Sequence, residues 1–241
     1  MKIMQKLTEN GKSNPLHEEV KIAFLGDSVT QGCFDIYKNR NGSILPVMDP
    51  EHSYVQYVSN ILNILFPSAA IKIINAGLSG NQAPGGLQRL SRDVIAHNPD
   101  LTVVCFGLND CKNKNSKRYV EALKDIFTAL MECGTEIIFM TPNMMNTEIS
   151  KSLTDPDFIK IAEECAALQN GGEFDVYLNA AKELCQEMSI PVCDCYAIWK
   201  ALYKNGVNVT ELLSNKINHP TKEMNSIFAY ELVKTMLSDG V

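Results

Sequence analysis

The sequence predicts a three-layer α/β/α sandwich built around a mainly parallel five-stranded sheet. Short apolar, β-branched runs alternate along the chain with amphipathic helical stretches, as in repeated strand-helix-strand units. Each apolar run stops at Gly, Asn or Pro. Because the runs are almost purely apolar and do not alternate with polar residues, we expect helices to cover both faces of the sheet.

Five apolar runs are the candidate strands, and the stretches between them are the candidate helices. The strands are predicted over residues 20–25, 71–75, 101–106, 136–140 and 190–193. Apolar residues at helical spacing predict connecting helices over residues 54–65, 86–97, 116–133 and 174–188. A final helix is predicted after Pro220, with an apolar face that should pack on the core.

The length of 241 residues fits one α/β domain, so we expect a single domain over residues 1–241 with an N-terminal extension over 1–19. Two segments depart from the layer pattern. Residues 33–53 are rich in Gly, Asn and Pro, and residues 143–172 form a long connection with a helical piece over 158–168. Long connections in compact α/β domains often shape binding sites, and we interpret 143–172 as an insertion of this kind.

Composition excludes several classes of function. The net charge is −6, and a surface for nucleic acid would need clustered Lys and Arg, so we do not expect a nucleic-acid partner. No apolar run reaches the roughly 18 residues that span a bilayer, so we expect no membrane span. The first 20 residues lack the apolar core of a signal peptide, which predicts a cytoplasmic location. The sequence leaves the oligomeric state open.

The eight cysteines are scattered, and several lie inside apolar strand or helix patterns, which predicts reduced thiols in the core. Cys193 and Cys195 are separated by one residue, unlike the two-residue spacer of a CxxC metal or redox site. The four histidines lie far apart in the sequence. We therefore expect no metal site and no cofactor.

A candidate nucleophile follows the first predicted strand. There the apolar run leads directly into Gly26, Asp27 and Ser28, and the next residues, VTQG, can begin a helix. Such a turn exposes a serine hydroxyl, while the helix start supplies unpaired N–H groups and a positive dipole end where an oxyanion could form. Asp27 or Ser28 could equally serve only as the helix N-cap, so this motif alone does not decide the function.

Polar turns also follow the next two strands. The turn NAGLSGN contains Gly80, whose N–H could bind an oxyanion, and GLND places the side-chain amide of Asn109 at the end of the third strand. The carboxyl ends of parallel strands lie on one edge of a sheet, so these turns should converge with Ser28. His219 precedes Pro220 at the start of the final helix, and a neutral imidazole there could take the serine proton and return it.

In this order GDSV, NAGLSGN, GLND and the C-terminal HP resemble the four blocks of the GDSL/SGNH hydrolase family, and the resemblance spans residues 22–220. It implies the flavodoxin-like SGNH hydrolase fold and a serine esterase or acylhydrolase that needs no cofactor. By resemblance, Ser28 is the nucleophile and one oxyanion donor, Gly80 and Asn109 are the other donors, and His219 is the base.

One position departs from the family pattern. The family usually has an Asp three residues before the His, and this chain has Lys216 there. Something else must then orient His219: the Asn215 side chain, a backbone carbonyl, or a more distant carboxylate such as Asp194. We favour a Ser-His dyad with a neutral orienting group.

The polar segments around the predicted site favour a short acyl group, such as acetyl, on a polar carrier such as a carbohydrate. No extended apolar flap is visible in the sequence. Thioesterase or lysophospholipase activity within the same family remains an alternative. Lys216 also leaves open a non-catalytic binding module. A nucleotide or phosphate binder is less favoured, because neither GxGxxG nor GxxxxGK[ST] occurs at the strand ends. The polar side chains in the segments around the predicted site, which favour the polar carrier, are those of Asn39, Arg40, Asn41, Asn143 and Asn146.

Overall fold

The structure is a computed structural model that describes residues 1–10 and 19–238. The strands in these residues are β1 (Val20–Gly26), β2 (Cys33–Lys38), β3 (Ile44–Met48), β4 (Ile71–Gly77), β5 (Leu101–Cys105), β6 (Glu136–Met140) and β7 (Val192–Cys193). The α-helices are α1 (Lys2–Asn10), α2 (Ser28–Gln31), α3 (Tyr54–Leu65), α4 (Ala83–Asp93), α5 (Ser116–Glu132), α6 (Pro156–Asn170), α7 (Glu173–Glu187), α8 (Cys195–Lys204) and α9 (Lys222–Leu237).

Five strands form one parallel sheet in the order β4-β1-β5-β6-β7. The chain runs outward from β1 to β4, then returns past β1 to β5 and continues to β7. Because crossovers are right-handed, this reversal places helices on opposite faces of the sheet. Helices α3 and α9 pack together, whereas α4 packs on α5 and α5 on α7. The predicted three-layer sandwich with a parallel five-stranded sheet is confirmed.

The reversal of strand order also fixes where a ligand can bind. β1 lies between β4 and β5, so the segments after these three strands leave the same edge of the sheet side by side. In open α/β sheets the crevice at such a switch point is the usual ligand site. The turns that contain Ser28, Gly80 and Asn109 follow β1, β4 and β5 respectively.

The core lies on both sides of the central strands. β5 is buried along its whole length, whereas the edge strand β4 is partly exposed. Tyr54 packs edge-to-face on Phe24 of β1 and on Phe228 of α9, which joins one helical layer to the sheet. Of the extension over residues 1–19, the first ten residues carry α1, whose Ile3 and Leu7 are buried in the core; residues 11–18 lie outside the described residues.

Two predicted elements have other bounds in the structure, and two helices of the structure were not predicted. The helix expected over 86–97 begins at Ala83, because Pro84 suits the first helical turn, and it ends at Asp93 before a separate 3-10 turn. The strand expected over 190–193 is only Val192–Cys193. The pattern predicted neither α1 nor α8.

The largest correction concerns residues 33–53, which we expected to be an irregular loop. They contain the antiparallel hairpin β2-β3. Its tip is held by Asn39, whose side-chain oxygen accepts hydrogen bonds from the N–H groups of Asn41 and Ser43. The sequence pattern did not predict β3 because the strand contains Pro46. Proline is tolerated in a sheet only on edge strands and at bulges, so its presence argues against a strand.

The eight cysteines are unpaired thiols; Cys133 is exposed and the others are buried. Across residues 1–10 and 19–238, no group of three or more His, Cys, Asp or Glu side chains is arranged to hold a metal ion. No helix in those ranges is both long enough and apolar enough to cross a membrane.

Candidate active site

The candidate nucleophile Ser28 lies at a sharp turn between β1 and α2. Asp27 caps the helix, since its Oδ1 accepts a hydrogen bond of 3.0 Å from the N–H of Val29. Gly32 ends the helix after a single turn with a φ of 93°. A Cβ at Gly26 would lie 2.9 Å from the carbonyl oxygen of Cys105, so only glycine fits before the turn. Ser28 is thereby held at the carboxyl end of β1.

Ser28 and His219, which are 191 positions apart in the sequence, meet in the structure. The distance from Ser28 Oγ to His219 Nε2 is 2.8 Å, and both residues are buried. This is hydrogen-bond distance for a serine and the group that would take its proton. The arrangement can support nucleophilic chemistry without a metal ion.

His219 belongs to a tight loop over residues 213–220, which we call the histidine loop. An isolated bridge between Leu213 and Pro220 closes it. The insertion over 143–172 supports the loop from outside: Asn143 Nδ2 donates to the carbonyl of Asn218, and the N–H of Asn146 donates to the carbonyl of Ile217, each at 2.8 Å. The insertion therefore contacts the site through its first residues.

Asn215 lies directly behind the imidazole. Its Nδ2 is 2.9 Å from His219 Nδ1 and also donates to Asn218 Oδ1 at 3.0 Å. Its Oδ1 accepts three backbone hydrogen bonds of 2.9 to 3.0 Å, from the N–H groups of Ile217, Asn218 and His219. Of the candidate orienting side chains, Asn215 is the one that the structure brings to His219.

The other two residues considered for this position bond elsewhere. Asp194 caps α8 through the N–H of Ala197, accepts from Thr141 Oγ1 at 2.9 Å and pairs with Lys182 at 3.2 Å. Lys216 has a φ of 58° and donates to the carbonyl of Glu211, whose carboxylate it also pairs with at 2.9 Å. The side chain that stands where the family usually has its Asp is therefore held by Glu211.

The two other predicted oxyanion donors lie at the neighbouring strand ends. Gly80 has a φ of 74°, which favours glycine, and a Cβ there would have open space around it, so a ligand can approach its backbone. Asn109 Nδ2 donates to the carbonyl of Asn81 at 3.1 Å, which fixes the amide. The contact of the same nitrogen with Asp27 Oδ2 is 3.4 Å, a weak hydrogen bond that an oxyanion could replace.

Sequence reasoning missed Arg89, a buried residue that ties these strand ends together. Its Nη2 donates to the carbonyl of Gly26 at 2.9 Å, its Nη1 to the carbonyl of Ala76 at 2.6 Å, and its Nε to Asn81 Oδ1 at 3.0 Å. Asp93 also contacts the guanidinium at 3.3 Å. The sequence carried only a weak signal that Arg89 is buried, namely its position on the same face of α4 as three apolar or small residues.

Burial controls the charge state of the site. The pKa of His219 is lowered to about 4, mainly because burial disfavours the imidazolium and secondly because Lys112 is positive. Burial also raises the pKa of Asp27 to about 7 and that of Asp110 to about 6. At neutral pH the imidazole is therefore uncharged, as a general base must be.

The hairpin and the insertion meet beside the histidine loop. Lys38 of the hairpin pairs with Asp155 at 2.9 Å and with Asp157 at 2.6 Å. A cavity of about 310 Å³ lies between them and is lined by both segments and by Asn215. The hairpin also exposes several apolar side chains. They are Tyr37, Ile44, Val47 and Met48.

Comparison with known proteins establishes the family of the chain. The model of the GDSL-like lipase/acylhydrolase family matches residues 24–227, which is most of the chain. The chain belongs to this family. The predicted resemblance is confirmed, and the matched range contains the turns of Ser28, Gly80 and Asn109 together with His219.

The GDSL-family chain is similar to acetylxylan esterases. It is 34% identical over 133 residues to an acetylxylan esterase of Geobacillus stearothermophilus, an alignment that covers 51% of this chain and 59% of the relative. The chain thus spans about three fifths of that relative's length. The solved structure of Axe2, an acetylxylan esterase from the same organism, has a TM-score of 0.66 at 23% identity and covers 92% of this chain and 95% of its own.

A second solved structure, the acetyl xylan esterase AlAXEase, has a TM-score of 0.68 at 19% identity and covers 90% of this chain and 100% of its own. At these identities the two structures establish the fold alone. They share the α/β fold with a parallel sheet that the sequence predicted.

Proposed function

We propose that this protein is a serine esterase that removes a short acyl group, foremost acetyl, from a carbohydrate. The observation that carries the proposal is the contact of 2.8 Å between Ser28 Oγ and His219 Nε2 at the strand-end crevice. A nucleophile and a neutral base at this distance are the minimum that ester cleavage through an acyl-enzyme requires.

In the proposed reaction Ser28 Oγ attacks the ester carbonyl carbon and its proton passes to His219 Nε2. The negative oxygen of the tetrahedral intermediate is bound by the N–H groups of Ser28 and Gly80 and by the Asn109 amide. The carbon–oxygen bond to the carrier then breaks, and the leaving alkoxide takes the proton from Nε2. Water repeats these steps on the acyl-serine and releases the carboxylic acid.

The choice of substrate rests on two kinds of support. The similar proteins are named acetylxylan esterases, which favours an acetyl group on a xylan-type sugar. The residues that line the cavity beside the histidine loop include Asp35, Ser152 and Thr154, whose side chains are of the kind that hydrogen-bonds sugar hydroxyls. These groups suit a carrier with several hydroxyls.

The exposed apolar residues of the hairpin favour a second candidate, an ester with a longer acyl chain. Tyr37, Ile44 and Val47 are each more than two fifths exposed, and an apolar flap near an ester site could cover an alkyl chain. Thioesterase or lysophospholipase activity would belong to this candidate.

The test combines labelling with a substrate panel. The protein and its Ser28→Ala variant are incubated with a fluorophosphonate probe and with p-nitrophenyl acetate; labelling and nitrophenol release that both disappear in the variant support the esterase. A panel then compares acetylated xylo-oligosaccharides with p-nitrophenyl esters of two to twelve carbons, a thioester and a lysophospholipid. A higher kcat/KM for the longer esters than for the acetylated sugars would overturn the choice of substrate.

Folded protein that is neither labelled nor active on any member of the panel would overturn the esterase itself. A non-catalytic binding module would then be the better description, and calorimetric titration with acetylated xylo-oligosaccharides would measure its affinity. Near-UV circular dichroism of the protein and of Ser28→Ala checks that both are folded.

A further inference from the structure

The side chain of Asn215 determines which nitrogen of His219 can carry a proton. An amide oxygen only accepts hydrogen bonds, and an amide NH₂ only donates them. Three backbone N–H groups of the histidine loop point at one atom of this amide, at 2.9 to 3.0 Å. That atom must be the oxygen, because a nitrogen there would face three other donors.

With the oxygen fixed in this way, the NH₂ group is fixed as well. One of its hydrogens points to Asn218 Oδ1 at 3.0 Å and the other to His219 Nδ1 at 2.9 Å. Nδ1 must therefore present its lone pair. A neutral imidazole has one N–H, so the proton lies on Nε2 and is donated to Ser28 Oγ across the contact of 2.8 Å.

In this tautomer Nε2 has no lone pair with which to take the serine proton. The proposed reaction must therefore pass through the less stable tautomer, in which the proton lies on Nδ1. A base that takes the serine proton must present its lone pair at Nε2 and carry its own proton on Nδ1. In serine proteases the replacement of the triad Asp by Asn leaves the geometry intact but stabilises the wrong tautomer, and kcat falls about 10⁴-fold. The contact between Asn215 and His219 has the same polarity.

We propose that Asn215 is a positioning residue that holds neutral His219 with its proton on Nε2, and that Asn215→Asp would complete a catalytic triad and accelerate the reaction. The part that concerns rate rests on the proposed function. The tautomer itself is a property of the folded protein, and it can be measured without any substrate.

The surroundings can accommodate an aspartate. One carboxylate oxygen would keep the three backbone hydrogen bonds of Asn215 Oδ1, and the other would accept a hydrogen bond from His219 Nδ1. That second oxygen would face Asn218 Oδ1, and a half turn of the Asn218 amide would present its NH₂ instead. Asn and Asp have nearly the same size, so the loop needs no other change.

The structure also distinguishes this variant from the one that the family pattern suggests. Placing Asp three residues before the histidine means Lys216→Asp. The Lys216 side chain, however, bonds Glu211 and does not contact the imidazole. Asn215→Asp and Lys216→Asp therefore make a matched pair in which only the first puts a carboxylate against Nδ1.

The experiment reads the tautomer by long-range ¹H–¹⁵N correlation NMR on protein with ¹⁵N-labelled histidine at pH 7.5. The chain has four histidines, and the spectrum of His219→Gln identifies the signal. We expect wild type and Lys216→Asp to carry the proton on Nε2 and Asn215→Asp to carry it on Nδ1. A wild-type proton on Nδ1 would overturn the proposal even if Asn215→Asp failed to fold.

Kinetics on p-nitrophenyl acetate supply the second measurement. For Asn215→Asp we expect kcat to rise by at least tenfold with KM within about threefold, and the acid limb of kcat/KM to move up by about one to three pH units as the new carboxylate favours the imidazolium. Lys216→Asp should show neither change. An Asn215→Asp variant with the proton on Nδ1 but an unchanged kcat would overturn the link to rate.

If Asn215→Asp shows the new tautomer and neither it nor the wild type cleaves any ester, the positioning role stands and the proposed function fails. The two conclusions are thus tested separately.

Discussion

Replacing Asp27 by Asn should stabilise the protein, and by more at pH 8 than at pH 5. Asp27 is 2% exposed, and burial raises its pKa from 3.8 to about 7. The folded state therefore holds a proton that the unfolded state releases between these values. Because its folded pKa is raised, Asp27 costs stability as the pH rises from 3.8 through 7, and asparagine, which does not titrate, avoids this cost.

The magnitude follows from the two pKa values at about 1.4 kcal/mol for each unit. Relative to a neutral side chain, the buried carboxyl costs about 2 kcal/mol at pH 5 and about 4 kcal/mol at pH 8. An asparagine at this position would keep the helix cap to Val29 but would place an NH₂ towards Asn109 Nδ2. That penalty does not depend on pH, so it cancels in the difference of about 2 to 3 kcal/mol between the two conditions.

The assay is equilibrium urea unfolding of wild type and Asp27→Asn at pH 5 and pH 8. Asp110→Asn is the matched comparison, because Asp110 is also buried but has a pKa of about 6. Its stabilisation should differ between the two pH values by only about 1 kcal/mol, which is smaller than for Asp27. A change in unfolding free energy for Asp27→Asn that is the same at both pH values would refute the reasoning.

Three further predictions concern the proposed site. Asn109→Ala should lower kcat on p-nitrophenyl acetate by about 10² to 10³ with KM little changed, and a rise in KM alone would make Asn109 a substrate-binding residue. Arg89→Met leaves the carbonyls of Gly26 and Ala76 and an Asn81 oxygen without their donor. Urea unfolding should therefore show a free energy of unfolding that is lower by about 3 to 5 kcal/mol. A decrease below about 1 kcal/mol would contradict the role of Arg89 in joining these strand ends. The acid limb of kcat/KM for wild type should lie near pH 4, where the buried imidazole gains its proton, and a limb at 6.5 would show that burial does not control the pKa of His219.

Local patterns were sufficient for the elements whose residues face one uniform environment. β6 and α3 have the predicted bounds, because a short, almost purely apolar run favours a buried strand and a regular amphipathic spacing favours a helix. The hairpin β2-β3 was missed because most of its residues are exposed or half-buried, so cross-strand pairing and the turn at Asn39 define it more than an apolar pattern does. Arg89 was missed because a buried arginine becomes favourable only when carbonyls from distant segments converge on it.

By itself the sequence determined the fold and placed Ser28, Gly80 and Asn109 together, since motifs at the ends of parallel strands must meet at one edge of the sheet. The order of the four motifs determined the family and pointed to His219. The tertiary structure alone decided what lies behind the histidine. From the sequence, Asn215 and Asp194 were both possible orienting side chains. In the structure, Lys216 pairs with Glu211, and Asn215 contacts His219 Nδ1. It also decided the direction of the hydrogen bond, because three backbone N–H groups fix the amide oxygen, and no sequence motif encodes which end of an amide faces an imidazole.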